Sequence, residues 1–147
     1  MPKKIIGAEL RHLQNLMSRQ FERFNEGIGC GPLSGPNMFI LKFLQQNGER
    51  DVYQRDVEKA MSITKSTCSK VLSTMEGKGL IRREAVADAR FKKICLTELG
   101  RNVVGMTDRM IETMEARLSE GISEQELEIF LSCVERMKKN VMRQLER

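Results

Sequence analysis

The sequence predicts a mainly α-helical chain with one small β-hairpin. Three observations lead there. Apolar residues recur every three or four positions through most of the 147 residues, the period of amphipathic helices. With 40% hydrophobic and 31% charged residues, no Trp, six Phe and one Tyr, the composition suits Leu/Met/Ile-packed helices better than an aromatic-rich β sandwich. Only residues 80–97 depart from the helical period, as two extended runs around a charged turn. A chain of this length fits one domain, or a small domain with long helical extensions, and can bury a real core.

The first helix spans Ile5 to about Phe24, with Ile6, Leu10, Leu13, Met17, Phe21 and Phe24 on one face and Glu9, Arg11, Arg19, Glu22 and Arg23 off it. Residues 29–36 then break the chain with three glycines and two prolines, and Ser34 followed by Pro36 suits a helix entry. The second helix carries Phe39, Ile40, Phe43 and Leu44 on one side with Met38 and Leu41 beside them. Its end near Asn47-Gly48 suits a left-handed cap.

A short helix follows from Tyr53 to Met61, then the turn Ser62-Ile63-Thr64, then a helix to about Glu76. Two short helices joined by a tight turn are the elements of a helix-turn-helix. Cys68, Val71, Leu72 and Met75 form the inward stripe of the second one, which sends Ser66, Ser69, Lys70 and Ser73 outward. Gly77-Lys78-Gly79 stops it. Leu80 to Val86 runs extended, turns through Ala87 to Arg90 and returns as Phe91 to Thr97, with Ile94 and Leu96 on one face and Lys93 and Cys95 on the other. No Asn-Gly or Asp-Gly pair marks a two-residue turn, so a longer loop is expected.

The last third reads as helices over about 99–119 and 124–146, broken at Gly121, with Ser123 and Glu126 as a capping box. Val104, Ile111 and Leu118 repeat at seven, as do Leu127, Val134 and Val141, with Phe130, Met137 and Leu145 filling in. Stripes this long outside a small central domain point to a homodimer, the alternative being an intramolecular core. The division expected is 1–30 as an N-terminal dimerisation helix, 31–99 as a helix-turn-helix domain with its hairpin and 100–147 as C-terminal dimerisation helices.

The net charge of +5 is concentrated: residues 50–101 hold 12 Lys/Arg against 7 Asp/Glu, leaving 13 against 13 elsewhere. A local positive field points to a polyanion, nucleic acid before anionic membrane, although a solubilising surface would read the same way. Four cysteines at 30, 68, 95 and 133 form no CxxC pair, and His12 is the one nitrogen ligand, so neither a structural zinc site nor another cofactor is expected. No catalytic motif is present, which argues against an enzyme. The N-terminus lacks a sustained apolar stretch and no 18 apolar residues run together, so a cytoplasmic protein with reduced thiols is expected.

The chemistry gathers in the basic third. A helix fits the major groove of B-DNA, and short hydroxyls with a few cations on its outward face allow close approach to base edges and phosphates. Thr64, Lys65, Ser66, Thr67, Ser69 and Lys70 meet that need. A cationic loop beside such a helix can reach the minor groove, where Arg90 is the candidate. Asp88 would be repelled by phosphate but could pair with the Arg90 guanidinium and orient it, while Lys92 and Lys93 add charge. An ordinary solvated face and turn remain the alternative.

The segment SITKSTCSKVLSTMEGKGLIRR followed by DARFKKICLTELG resembles the recognition helix and wing of the MarR family of transcriptional regulators, named for multiple antibiotic resistance. The elements that carry the likeness are Glu-x-x-Gly-Leu-Ile-x-Arg, Asp-x-Arg and Leu-Thr-x-x-Gly; the flanking helices agree in length and placement only. The resemblance implies a winged helix-turn-helix domain and a two-fold dimer made by the terminal helices. It also implies a repressor on double-stranded, pseudo-palindromic DNA, with half-sites about 10 bp apart. Asp88 and Arg90 would then be the wing pair, and Thr64 to Lys70 would carry the groove contacts.

Release by a small molecule or an oxidant is a further implication. His12, Met17, Phe21, Phe39 and Phe43 could line an effector pocket, although such a stripe also serves as plain core. For oxidant sensing, Cys30 in a Gly-rich loop and Cys95 beside Lys93 are the candidates, with Cys68 and Cys133 on apolar stripes. The rival to DNA binding is a winged-helix module that meets an acidic protein surface.

Overall fold

The computed structural model describes residues 3–24 and 33–147. In chain order the elements are α1 (Ile6–Phe24), α2 (Gly35–Gln46), α3 (Gln54–Met61), α4 (Lys65–Gly77), β1 (Ile81–Ala85), β2 (Lys92–Leu96), α5 (Glu98–Leu118) and α6 (Glu124–Leu145). This is the mainly helical chain with one antiparallel hairpin that the periodicity predicts. The break expected over 29–36 lies partly outside the described residues. Two compact units separate within α5, Met1–Met110 and Ile111–Arg147.

In the first unit α2, α3, α4 and the hairpin share a core. Ile40 and Leu41 of α2, Val57 of α3 and Leu72 and Met75 of α4 are fully buried. The α2 face differs from expectation: Met38, Ile40, Leu41 and Leu44 point inward with Asn37, while Phe39 is 45% exposed. Phe39 and Phe43 instead stack on each other at 6.3 Å with an interplanar angle of 8°. The inward stripe is thus turned by about one position from the expected one, leaving the two rings at its edge.

Helix ends follow their local chemistry. Ser34 caps α2 by accepting from the Asn37 N–H at 3.2 Å, and Pro36 sits in the first turn, where no donor is needed. The expected left-handed cap at Asn47-Gly48 is absent, since Asn47 has φ −111 and the positive-φ residues described are Ser62, Gly79 and Gly121. Asn47 closes α2 differently, through its side-chain Nδ2, which donates to the Phe43 carbonyl at 2.8 Å.

α3 and α4 end in the same double hydrogen-bond motif. Ile63 N donates to Glu58 O and Ser62 N to Lys59 O, with Ser62 left-handed at φ 54. At the second site Leu80 N donates to Met75 O and Gly79 N to Glu76 O, with Gly79 at φ 75. Each motif reverses the chain within two residues and sets the direction in which the next element leaves.

β1 and β2 pair Ile81 with Leu96, Arg83 with Ile94 and Ala85 with Lys92, and Val86 to Phe91 make the longer loop. The segment before α3 adds a rung: Ile94 N donates to Val52 O at 2.7 Å and Tyr53 bridges Lys93. At the exit Thr97 donates its hydroxyl to Gly79 O, accepts from Gly100 N at 3.0 Å and donates its N–H to Leu80 O at 3.2 Å. Gly100 lies so close to this turn that an added Cβ would sit 2.1 Å from the Leu80 carbonyl oxygen. The Gly-Leu-Ile and Leu-Thr-x-x-Gly elements are therefore two halves of one joint.

The second unit is the end of α5, a turn and α6. Gly121 takes φ 78, and Ser123 and Glu126 cap α6 reciprocally at 2.8 and 3.2 Å, as the sequence predicts. No residue of α6 is buried, and Ile129, Phe130, Leu131, Val141 and Leu145 are all exposed. No helix among the described residues is long and apolar enough to cross a membrane.

Candidate nucleic-acid interface

α4 turns its small and basic side outward because its other side is fully buried. Cys68, Leu72 and Met75 are at 0% exposure, which leaves Ser66, Lys70 and Ser73 exposed and Ser69 half-buried. Lys65 and Thr67 are also exposed at the N-terminus. Thr64 has a structural use there: it caps the helix, accepting from Thr67 N at 3.3 Å, and its hydroxyl lies 2.9 Å from that of Thr67. The Lys65 carbonyl accepts from Gln54 Nε2 at 3.3 Å, tying the two helices across the turn.

The far end of α4 is fastened to the hairpin. Glu76 Oε2 accepts from both the Arg83 backbone N–H and Nε, at 3.2 and 3.3 Å, while Arg83 Nη2 donates to Ser73 Oγ at 3.0 Å. This gives the Glu and the final Arg of Glu-x-x-Gly-Leu-Ile-x-Arg a shared purpose, fixing the hairpin root against the helix.

At the hairpin tip Arg90 and Asp88 form a bidentate pair. Arg90 Nε donates to Asp88 Oδ1 at 3.1 Å and Nη2 to Oδ2 at 2.8 Å, and the Arg90 N–H also donates to Oδ1 at 3.1 Å. Those bonds, the side-chain one first, hold the Asp88 carboxyl below its usual range and raise Arg90. The Arg90 side chain is 80% exposed, so the pair orients a cation that is open to a partner. Lys92 is exposed, whereas Lys93 pairs with Asp51 at 3.0 Å, which raises its pKa and competes with any phosphate for it.

Between the start of α4 and the wing lies a cleft of about 520 Å³ whose wall includes Arg55, Lys65, Arg83, Arg90 and Lys92 with one carboxylate, Glu58. With Glu76 on Arg83 and Asp88 on Arg90 counted, the recess keeps a net positive charge, carried by Arg55, Lys65 and Lys92. A family model described as the MarR family matches residues 32–90, the stretch that holds the helix-turn-helix and the wing tip. Over residues 32–90 this chain is similar to the MarR family.

Solved structures agree along nearly the full length. The MarR transcription regulator of Oenococcus oeni is 27% identical, covering 92% of this chain and 99% of that one with a TM-score of 0.74. MepR of S. aureus, solved with DNA, is 25% identical over 94% and 99% of the two chains at a TM-score of 0.85. The PcaV regulator of Streptomyces coelicolor, solved with its natural ligand, shares the fold at 20% identity, 95% and 98% coverage and a TM-score of 0.80. Members of the MarR family are transcription regulators and not enzymes, and this chain has their fold.

Among the described residues, the remaining candidates lie on α1, α2, α4 and β2. His12 is exposed, Met17 half-buried and Phe21 buried on α1, while Phe39 and Phe43 are the stacked pair on α2. Burial first, and Glu84 second, push the Cys95 thiol up, with Lys93 and Arg82 offsetting only part. The flanking cations therefore do not yield the thiolate expected there. Cys68 is likewise raised by burial and by Glu58. Cys30 lies outside the described residues. Among the described residues no cluster of three or more His, Cys, Asp or Glu could hold a metal.

Sequence reasoning missed the aromatic side of the cleft. Arg55 places its guanidinium carbon 4.7 Å from the Phe91 ring centre and 5.3 Å from that of Tyr53, and the two rings meet edge to face at 6.1 Å. The signal available was the adjacency of Phe91 to Arg90 and of the chain's one Tyr to α3.

Proposed function

We propose that the chain is a homodimeric, sequence-specific DNA-binding transcription repressor. Each α4 enters a major groove of a pseudo-palindromic site through Lys65, Ser66, Thr67, Ser69 and Lys70, capped by Thr64. Each wing, carrying Asp88, Arg90, Lys92 and Lys93, lies over the flanking minor groove, with half-sites about 10 bp apart. The observation that carries this reading is the bidentate Asp88–Arg90 pair, an exposed and oriented guanidinium across a basic cleft from the hydroxyl-rich helix. The relative solved on DNA supports the same partner.

The dimer reading rests on apolar surface left open on the terminal helices of the single chain. Leu10, Leu13 and Leu16 of α1 and Phe130, Val141 and Leu145 of α6 are each 38% exposed or more. In the division proposed, 1–30 and 100–147 supply the dimer helices and 31–99 the DNA-binding domain. Release by a small ligand or an oxidant is the proposed switch, and burial and Glu84 hold the Cys95 thiol up, which disfavours its thiolate form.

A gel shift against the DNA upstream of its own reading frame tests the function. Specific binding that weakens steeply with salt is expected, since each Lys or Arg on a phosphate releases counterions. Absence of binding at low salt would instead favour a module for acidic protein surfaces.

A further inference from the structure

The Asp88–Arg90 pair does not by itself aim the wing. Both residues sit on one turn, and the turn's hydrogen bonds are internal: Arg90 N to Asp88 Oδ1 and Phe91 N to Asp88 O, each at 3.1 Å. A guanidinium that enters a groove must be held relative to α4, not only relative to its own loop. The ring contacts described between this loop and the helix-turn-helix all run through Phe91. Its ring meets Tyr53 edge to face at 6.1 Å with 64° between the planes. Arg55 bridges the two rings at 4.7 and 5.3 Å, and Arg90 lies 5.6 Å from the Phe91 centre.

The other end of this stack is anchored. Tyr53 pairs with Lys93 across the extra rung, and its N–H donates to Asp56 Oδ2 at 2.9 Å at the start of α3. A planar guanidinium stacked on an aromatic face is attracted by the ring quadrupole while its edge keeps its donors. Arg55 therefore joins a ring rooted in the helix-turn-helix to a ring rooted in the wing.

We propose that Tyr53, Arg55 and Phe91 form a staple that fixes the wing loop against the helix-turn-helix, making Phe91 and Arg55 positioning residues for Arg90. The inference rests on the DNA-binding reading above and adds how the wing is aimed. A loop already ordered loses less conformational freedom when DNA arrives, so the staple acts on affinity without touching the groove.

Phe91→Leu keeps apolar bulk and removes the ring; Arg55→Met keeps the stem and removes the cation. In the full chain both should keep the fold, with a thermal midpoint within a few degrees of wild type, while lowering affinity for the specific DNA by about five- to thirtyfold, the range that two exposed cation–π contacts supply. In an Arg90→Ala background Phe91→Leu should add no further loss, and the Arg55→Met, Phe91→Leu double variant should lose no more than the larger single. Backbone 15N relaxation of the DNA-free protein should show residues 87–90 more mobile in Phe91→Leu. Equal losses with and without Arg90, or additive losses in the double variant, would overturn the positioning role. Unchanged loop mobility would overturn the staple itself, whether or not DNA binds. Failure of the wild-type chain to bind DNA is seen before any variant is compared and removes the underlying reading.

Discussion

The recognition helix and the wing tip face one basic cleft but are held by opposite means. α4 is fixed from behind, with Cys68, Leu72 and Met75 fully buried, a Thr64 cap at one end and the Glu76–Arg83 clasp at the other. Arg90 at the wing tip is 80% exposed, and its bidentate partner Asp88 lies on its own loop. Hydrophobic burial positions a helix without using its outward face, which stays open to a partner. An exposed loop has nothing to bury, so ion pairing and ring stacking must orient it, and each is weak in water.

Breaking each kind of fastening should separate stability from binding. Leu72→Ala removes a fully buried side chain and should cost about 2–5 kcal/mol of stability in urea unfolding, with DNA binding falling alongside. Arg90→Ala should leave the urea midpoint alone and weaken DNA binding by about 1–3 kcal/mol if the guanidinium reads a groove. Wild-type affinity in that variant would refute the wing assignment.

Asp88→Ala sharpens the contrast by keeping the cation and removing what orients it. Its expected loss of affinity is smaller than that of Arg90→Ala, again at unchanged stability. The Asp88 carboxyl is held below its usual 3.8 by bonds from Arg90, so the contribution of the pair is present above that value and is lost as pH falls through the lower, folded value. The wild-type to Asp88→Ala affinity ratio, measured by fluorescence anisotropy, should therefore stay flat between about pH 6 and 8. A ratio that changes across this window would mean that Asp88 acts through some other titrating group.

Much of the fold and of the interface is legible in the sequence because local rules decide it. Apolar spacing places the helices to within a residue or two, and the Ser123 capping box and the Asp88–Arg90 pair are contacts between near neighbours in sequence. The contacts that stay hidden depend on register between distant segments. Asp51 with Lys93 and Arg55 with Phe91 meet only once the hairpin folds back on α3 and α4. Spacing misplaces the α2 face because Phe39 and Phe43 share the period of the buried residues, and packing, not spacing, decides which side turns inward.

Composition favours a left-handed turn at Gly48, yet it occurs at Ser62, where geometry requires it. Ser62 and Gly79 close α3 and α4 with the same pair of hydrogen bonds at φ 54 and 75, so two equivalent turns differ in one Cβ. A non-glycine residue in that region is strained by about 1 kcal/mol or more, and glycine relieves the strain while gaining freedom in the unfolded chain. Ser62→Gly should therefore stabilise by less than about 1 kcal/mol, a rise of roughly 1–3 °C in thermal midpoint. The same change leaves the outward face of α4 untouched, so DNA affinity should hold. A fall in midpoint would mean that the Ser62 side chain contributes more to the turn than its strain removes.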